Sequence, residues 1–568
     1  MRKTAFLLAS LISSTLSTCF DPSPAFPVPQ WHNGAKDKHL ASAFNSLRTK
    51  LDTFISNPKY SAASFSIELT SQTSSLFSHF HTAPERNATR PGTPKVDGDS
   101  LYRIASITKT FTTLGLLYQA EAGTLNLDDP VSDYIPELTG QIPFHDITLR
   151  ALASQLSGIP RDFAQSDILL EIPDPTFIGL PPADKKNLIR CDEYADYDPP
   201  CNATDLVKWL NHHAPLFAPN AESTYSNLNF ELLGLVLERV TNMTYEEYMQ
   251  TSIFTPLKMS LTTISTPNDT HAVLPVGDNY WDVDEGIQNP TGAIYSSTTD
   301  MSTYLRYILT HYNALATGIN WFQPASFATG LGSFYGMPWE IFRTDRILPE
   351  SRRPVTFVTK SGGLPGYVSR VSLMPEYGLG VTILVACNEH CGEVLDRLQE
   401  VVTVEVVRAA EESVWEGLGV GYDGVYEAVD RELNSSIELV SSSGTGIVMN
   451  SFVSNGTDVL AEVVPKFWAD PRKSWRLQLV PTLLYKDEKE QAGEIWRILA
   501  MYERKEGKGR DVWDDFCITD IDTAKYAGLP VNEVVFWHEE GVMELPAWKV
   551  TMKQSTEPKN DERFVVQQ

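Results

Sequence analysis

Apolar side chains recur on one side of Lys36–Ile55 through Leu40, Phe44, Leu47 and Leu51, the three-to-four-residue spacing of an amphipathic helix. Polar and apolar residues then alternate from Ser64 to Phe80 with a break at Ser71–Ser75, predicting two strands joined as a hairpin. Helical spacing returns after Ser106 and stops at Gly123, a residue suited to ending a helix, and it returns again over Tyr225–Val240. Between Glu137 and Asn220 prolines, among them Pro173, Pro175, Pro181, Pro182, Pro199 and Pro200, interrupt short helical pieces such as Thr148–Leu156. Thr356–Met374 and Leu379–Ala386, rich in Val, Leu and Ile, read as neighbouring antiparallel strands with a turn at Pro375–Gly378. Glu393–Trp415 follows as one long helix.

From Gly417 the texture changes. Short stretches (VYEAV, SIELV, GIVMNSF, VLAEVV, RLQLVPTLLY) separated by Gly, Asn and Ser predict a small antiparallel sandwich or barrel. The pattern therefore implies an α/β (α+β) chain: residues 36–416 form a sheet flanked by helices with an all-helical region, and 417–568 a smaller β-rich domain. Its charged end from Lys553 to Gln568 is expected to fray.

Charge and targeting signals narrow the setting. The chain has 568 residues, 42% of them hydrophobic, with 72 acidic against 46 basic residues and a formal charge of −26. That balance argues against nucleic acid as a partner and fits a solubilising surface. Arg2 and Lys3 precede an apolar stretch from Ala5 to Ile12, then small polar residues, which marks 1–19 as a signal peptide followed by a proline-rich leader at 20–35. No other run approaches the ~20 apolar residues a membrane span requires, so no membrane partner is expected after signal removal. Asn87, Asn202, Asn242, Asn268, Asn434 and Asn455 each open a glycosylation sequon, which fits a secreted eukaryotic protein. Cys191 with Cys201 and Cys387 with Cys391 are candidate disulfides, while Cys19 either leaves with the signal or pairs with Cys517. Neither close pair has the Cys/His companions of a zinc site, so neither metal nor cofactor is expected.

The strongest chemical signal is Ser106 with Lys109. On a helix the two share a face one turn apart, so the amine can reach the hydroxyl and take its proton when burial disfavours the ammonium. Ser56 and Lys59 repeat the spacing, but Pro58 lies between them and the stretch reads as a loop. A Ser-His-Asp alternative lacks a Gly-X-Ser-X-Gly elbow, and His145, His212 and His213 lack any partner pattern.

Two further motifs follow in chain order, Tyr225-Ser226-Asn227 and Lys360-Ser361-Gly362. With SITK at 106–109 they resemble the serine β-lactamase and penicillin-binding type, most like the branch of class C β-lactamases, D-alanyl-D-alanine carboxypeptidases and esterases. The likeness extends over Lys36–Arg408 and includes the flanking segments ITLRALASQLSGIP and KSGGLPGYVSRVSLMPEYGLGVTILVACNE. The sequence departs from the family at Gln155-Leu156, where relatives commonly carry His-Thr, and at Ser361, where threonine is commoner.

The resemblance implies roles. Ser106 would be the acylated nucleophile, with Lys109 and Tyr225 as acid and base and Lys360 as a second cation that lowers the tyrosine's pKa. Asn227 would orient Lys109 or the substrate amide, Ser361 would bond a substrate carboxylate or carbonyl, and the N–H groups of Ser106 and Gly363 would form the oxyanion hole. The C-terminal domain of such relatives resembles a lipocalin-like barrel that caps or shapes access to the cleft. A secreted hydrolase of small esters or amides is the leading expectation. Acyl transfer in small-molecule biosynthesis, D-amino-acid peptidase action and a non-catalytic binding role stay open, as does the oligomeric state.

Overall fold

The computed structural model describes residues 25–31, 36–162, 167–172, 174–184, 200–316, 318–502, 521 and 524–555. The first predicted helix is present as α1 (Lys38–Ile55), capped by Asp37, whose carboxylate accepts from the N–H groups of His39 and Leu40 at 3.0 and 2.9 Å. The hairpin follows as β1 (Ser64–Ser71) and β2 (Ser75–His81). Every β1 residue is buried, the polar ones included. The alternation thus separates two covered faces. Phe65 stacks near His79 and His81, while Thr70 on the opposite face accepts from Arg306 at 3.0 Å.

The helix that follows Ser106 is α2 (Thr108–Glu121), the next long one is α3 (Leu228–Thr241), and α4 (Thr298–His311) packs on the sheet. Phe111 of α2 stacks on Tyr304 of α4 with ring centroids 3.9 Å apart, tying the helical region to the sheet. The strands of this unit continue with β3 (Ser326–Phe327), β4 (Ser333–Tyr335), β5 (Glu340–Thr344), β6 (Val355–Leu364), β7 (Tyr367–Met374) and β8 (Leu379–Ala386). They build an antiparallel sheet in the order β2-β1-β8-β7-β6-β5-β4-β3. Thr356–Met374, expected as one strand, is two. The chain reverses at Pro365-Gly366, where Gly366 takes a φ of 88° that a residue with a side chain would resist.

The long helix, α5 (Cys391–Tyr422), outruns its expected end. The chain divides into two compact units inside it, between Val407 and Arg408, whereas the sequence texture changes at 416/417. The second unit also takes in Leu348–Arg353 and Ala25–Pro29. There Arg353 pairs with Glu411 at 2.6 Å, both buried, and Phe26 meets Trp415 edge-on.

Past α5 the strands β9 (Gly424–Ala428), β10 (Ser436–Ser442), β11 (Gly446–Ser454), β12 (Trp475–Asp487), β13 (Ala492–Tyr502), β14 (Glu533–Trp537), β15 (Val542–Leu545) and β16 (Val550–Gln554) each pair with the next. Pairing of β9 with β16 closes the ring, giving an eight-stranded up-and-down barrel, the connectivity of lipocalins. Ile437, Leu479, Trp496, Val534, Met543 and Met552 have no accessible surface, so no water-sized void borders them. VLAEVV, expected as a strand, is helical instead, because the Asp458 carboxylate caps Val459–Glu462 by accepting from Ala461 N–H at 3.1 Å.

Candidate active site

Ser106 lies in a single 3₁₀ turn, Ala105–Ile107, that leads into α2. Ala105 holds a left-handed φ of 47°, an uncommon state for a residue with a Cβ. The approach is braced from below. Tyr102–Arg103 pairs with Tyr295–Ser296, and the buried Arg103 guanidinium donates to the carbonyls of Tyr280 and Val283 at 2.6 and 2.9 Å while ion-pairing with Glu285.

Lys109, the second residue of α2, is wholly buried; its Nζ donates to Ser106 Oγ at 3.0 Å and to the Thr291 carbonyl at 2.9 Å. Tyr225, just ahead of α3, donates from its OH to the same Oγ at 2.9 Å. Lys109 Nζ lies 5.2 Å and Lys360 Nζ 5.1 Å from the centroid of the Tyr225 ring. One hydroxyl, two amines and a phenol therefore meet, as the three motifs require. Burial pushes the Lys109 pKa down, the nearby Lys360 ammonium adds to that, and Tyr225 opposes it. Burial alone would raise the Tyr225 phenol, but the two lysines outweigh it and bring it down to about 8.

Strand β6 delivers the third motif. A Cβ on Gly362 would stand 2.4 Å from the Ile104 carbonyl and 2.9 Å from Ser106 N, so only glycine lets this strand press against the nucleophile's turn. Ser369 Oγ on β7 donates to the same Ile104 carbonyl at 2.7 Å. Gly363, the next residue on β6, is exposed.

Glu340 on β5 escaped the sequence reading. Its Oε1 accepts from Lys360 Nζ at 2.5 Å, and its Oε2 accepts from Ser361 Oγ at 2.6 Å and Ser361 N–H at 3.0 Å. Burial penalises that carboxylate, yet the Lys360 charge and these bonds hold its pKa below the usual range; the same pairing overrides burial to raise Lys360. No motif announces Glu340, because the β5–β6 register that sets Glu340 opposite Thr359 brings it there.

Asn227 Nδ2 donates to Asp162 Oδ1 at 2.5 Å, whereas the hydrogen bonds of Lys109 go to Ser106 and Thr291. Gln155, which stands where relatives commonly carry His, supports the Tyr225 loop. In a left-handed backbone state (φ 62°), its Oε1 accepts from Ser226 N–H at 2.8 Å and Asn229 Nδ2 at 3.0 Å. Arg161, also unforeseen, sets its guanidinium 4.8 Å from the Tyr225 ring centroid. The second Ser-X-X-Lys copy is unconnected to this site: Ser56 Oγ donates to the Thr53 carbonyl at 2.8 Å and Lys59 pairs with Glu393 at 2.5 Å.

A family model described as Beta-lactamase matches residues 78–402, more than half of the chain. The chain belongs to the beta-lactamase family of serine hydrolases. A second model, described as Beta-lactamase-like-like, C-terminal domain, matches residues 417–556. Among relatives, the "Probable hydrolase M10" of a Phoma species is 30% identical over 544 residues, covering 93% of this chain and 89% of that protein. The "Beta-lactamase-like protein" of Arthroderma benhamiae is 28% identical, covering 93% of each. A crystal structure of a class C beta-lactamase in complex with cefoxitin shares the fold at a TM-score of 0.50, with 17% identity, 65% of this chain and 99% of that one.

Among the described residues no His/Cys/Asp/Glu cluster could hold a metal, and no helix is long and apolar enough to cross a membrane. Cys387 and Cys391 form a disulfide. Cys201 is also disulfide-bonded, but its expected partner Cys191 lies outside the described residues, as do Cys19 and Cys517.

Proposed function

We propose that this protein hydrolyses esters or amides of small molecules through an acyl-enzyme on Ser106. The observation that carries the reading is the pair of hydrogen bonds on Ser106 Oγ from Lys109 and Tyr225. Whichever of the two is deprotonated accepts the serine proton as Oγ attacks the carbonyl, and the protonated partner supplies one to the leaving group. The lowered pKa values of both groups raise the basic fraction above that of an ordinary lysine or tyrosine. Lys109 and Tyr225 titrate as a coupled set, so the base is a property of the pair. Ser106 N–H and the N–H of Gly363, an exposed residue, serve as oxyanion donors, a reading supported by the close approach of Gly362 to Ser106 N. Water, admitted to the half-buried Ser106 from the cleft, then deacylates the enzyme with Tyr225 as base. The experiment is labelling with a fluorophosphonate followed by mass spectrometry: the adduct is expected on Ser106, and folded protein that stays unlabelled would leave a binding role.

We also propose a secreted, glycosylated protein. Asn202, Asn242, Asn268, Asn434 and Asn455 are exposed and Asn87 half-buried, which supports glycans at all six. Enzymatic deglycosylation of protein recovered from culture medium should shift its mass; secreted material without glycans would sink the glycosylation half.

A further inference from the structure

The apolar face of the catalytic unit's sheet runs on past its buried core. Across β6, β5, β4 and β3 the residues Val358, Ile341, Phe334 and Phe327 stand opposite one another, so their side chains share one face. Lys360, two positions along β6 from Val358, projects from that same face. Val358 and Ile341 are buried and Phe334 is half-buried, but Phe327 is 82% exposed, its ring 5.8 Å from that of Phe334. Leu331, in the β3–β4 turn, is fully exposed. Charged residues make up 21% of the chain, yet none falls between Tyr312 and Trp339, so the hairpin presents only apolar and small polar groups. Two contacts set it beside the catalytic groups. Ser223, two residues before Tyr225, donates from Oγ to the Phe327 carbonyl at 2.7 Å. Tyr335 pairs with Glu340, and its phenol, whose pKa burial chiefly raises, also feels Glu340, Lys360, Tyr225 and Arg161.

We infer that the β3–β4 hairpin is a subsite for the leaving group, and that the enzyme favours esters whose alcohol carries an extended apolar chain. As the bond from Ser106 Oγ to the acyl carbon forms and the ester C–O bond breaks, the Lys109–Tyr225 pair passes the serine proton to the departing alcohol oxygen. Of the two, Tyr225 belongs to the loop that the hairpin touches, so the chain that leaves is the one laid along Phe334, Phe327 and Leu331. Three strand spacings of ~4.8 Å separate β6 from β3, a track of about 14 Å that suits an extended alkyl chain of roughly ten carbons. Covering the exposed Phe and Leu with that chain removes apolar surface of both partners from water. The inference rests on the acyl-enzyme reading and names a substrate class for it.

A series of 4-alkylphenyl acetates tests this, because a longer alkyl group leaves the acidity of the phenol nearly constant and changes its apolar reach. From the 4-methyl to the 4-octyl ester, below the micelle concentration, kcat/KM of the native protein is expected to rise by about tenfold or more. The double variant Phe327→Ser, Leu331→Ser, at two exposed positions, should flatten that rise while keeping the 4-methyl ester within about twofold. It should also leave unmoved the trend across phenyl acetate, hexanoate and decanoate, where the acyl group grows instead. A flat native series overturns the inference, and so does a rise that the double variant keeps or an acyl-length trend that it removes. A flat series joined to self-association, or to binding of phosphatidylcholine vesicles, that the variant abolishes gives the hairpin to a second copy or a lipid surface and likewise overturns it. The native series stands even where the variant folds poorly. Fluorophosphonate labelling of Ser106 in the same samples reports on the acyl-enzyme separately: labelled, active enzyme with a flat series sinks only the inference, whereas folded protein that neither labels nor turns over sinks both.

Discussion

Two tyrosines, one in each unit, keep opposite electrostatic company. Tyr225 faces two ammonium groups and its phenol falls to about 8. Tyr422, at the end of α5, donates to the buried carboxylate of Glu494 at 2.6 Å, and burial together with that negative charge drives its pKa far up. His538 meets the same Glu494 oxygen at 2.9 Å, and Tyr422 contacts Trp496 and Phe536 edge-on. Both phenols are tightly bonded, yet only the first has a proton that can leave near neutral pH. The sign of the neighbouring charge, more than burial, separates a tyrosine that ionises easily from one that keeps its proton.

Removing the nucleophile should break the comparison most sharply. Ser106→Ala is expected to lower kcat on p-nitrophenyl esters by roughly 10⁴-fold or more, with the fold unchanged by circular dichroism. Tyr225→Phe comes next, costing about 10²–10⁴-fold in kcat. In the native protein the basic form of Tyr225 grows as pH rises through about 8, so the rate should climb across that value and level off above it. Initial rates at stepped pH would show that limb lost in the variant; a limb that persists assigns it to Lys109.

The matching change in the barrel should spare catalysis. Tyr422→Phe removes a bond to a buried carboxylate, worth about 1–2 kcal/mol or roughly 3–6 °C in the melting of that unit, while ester hydrolysis stays within about twofold. The smallest effect is a slope. Despite burial, the bonds from His538 and Tyr422 hold Glu494 below its ordinary pKa. Its stabilisation is therefore full above the ordinary carboxylate value and drains away as pH falls through the folded one. Urea midpoints taken at descending pH should fall more steeply for native protein than for Glu494→Gln; parallel curves would contradict the assignment.

The reactive half of this contrast was legible in the sequence because its parts are locally encoded. Ser106 and Lys109 meet through helical spacing, and the glycines after Lys360 report a close backbone approach. Glu340 and Gln155 were not legible. One depends on the β5–β6 register, the other on a left-handed turn that aims a buried amide, and neither leaves a periodic trace. The strand read over Thr356–Met374 divides because the glycine-rich stretch KSGGLPG carries a turn at Pro365-Gly366 between two apolar runs. In the barrel, alternation announced strands but not closure, since pairing of β9 with β16 joins residues more than a hundred positions apart.

Ala105 carries a last consequence. A methyl-bearing residue in a left-handed backbone stores strain that a glycine would release at the cost of a looser unfolded chain. Laboratory selection for heat tolerance and selection for turnover should therefore pull position 105 apart, the first trading freely between the two smallest residues and the second keeping whichever one holds the neighbouring oxygen still.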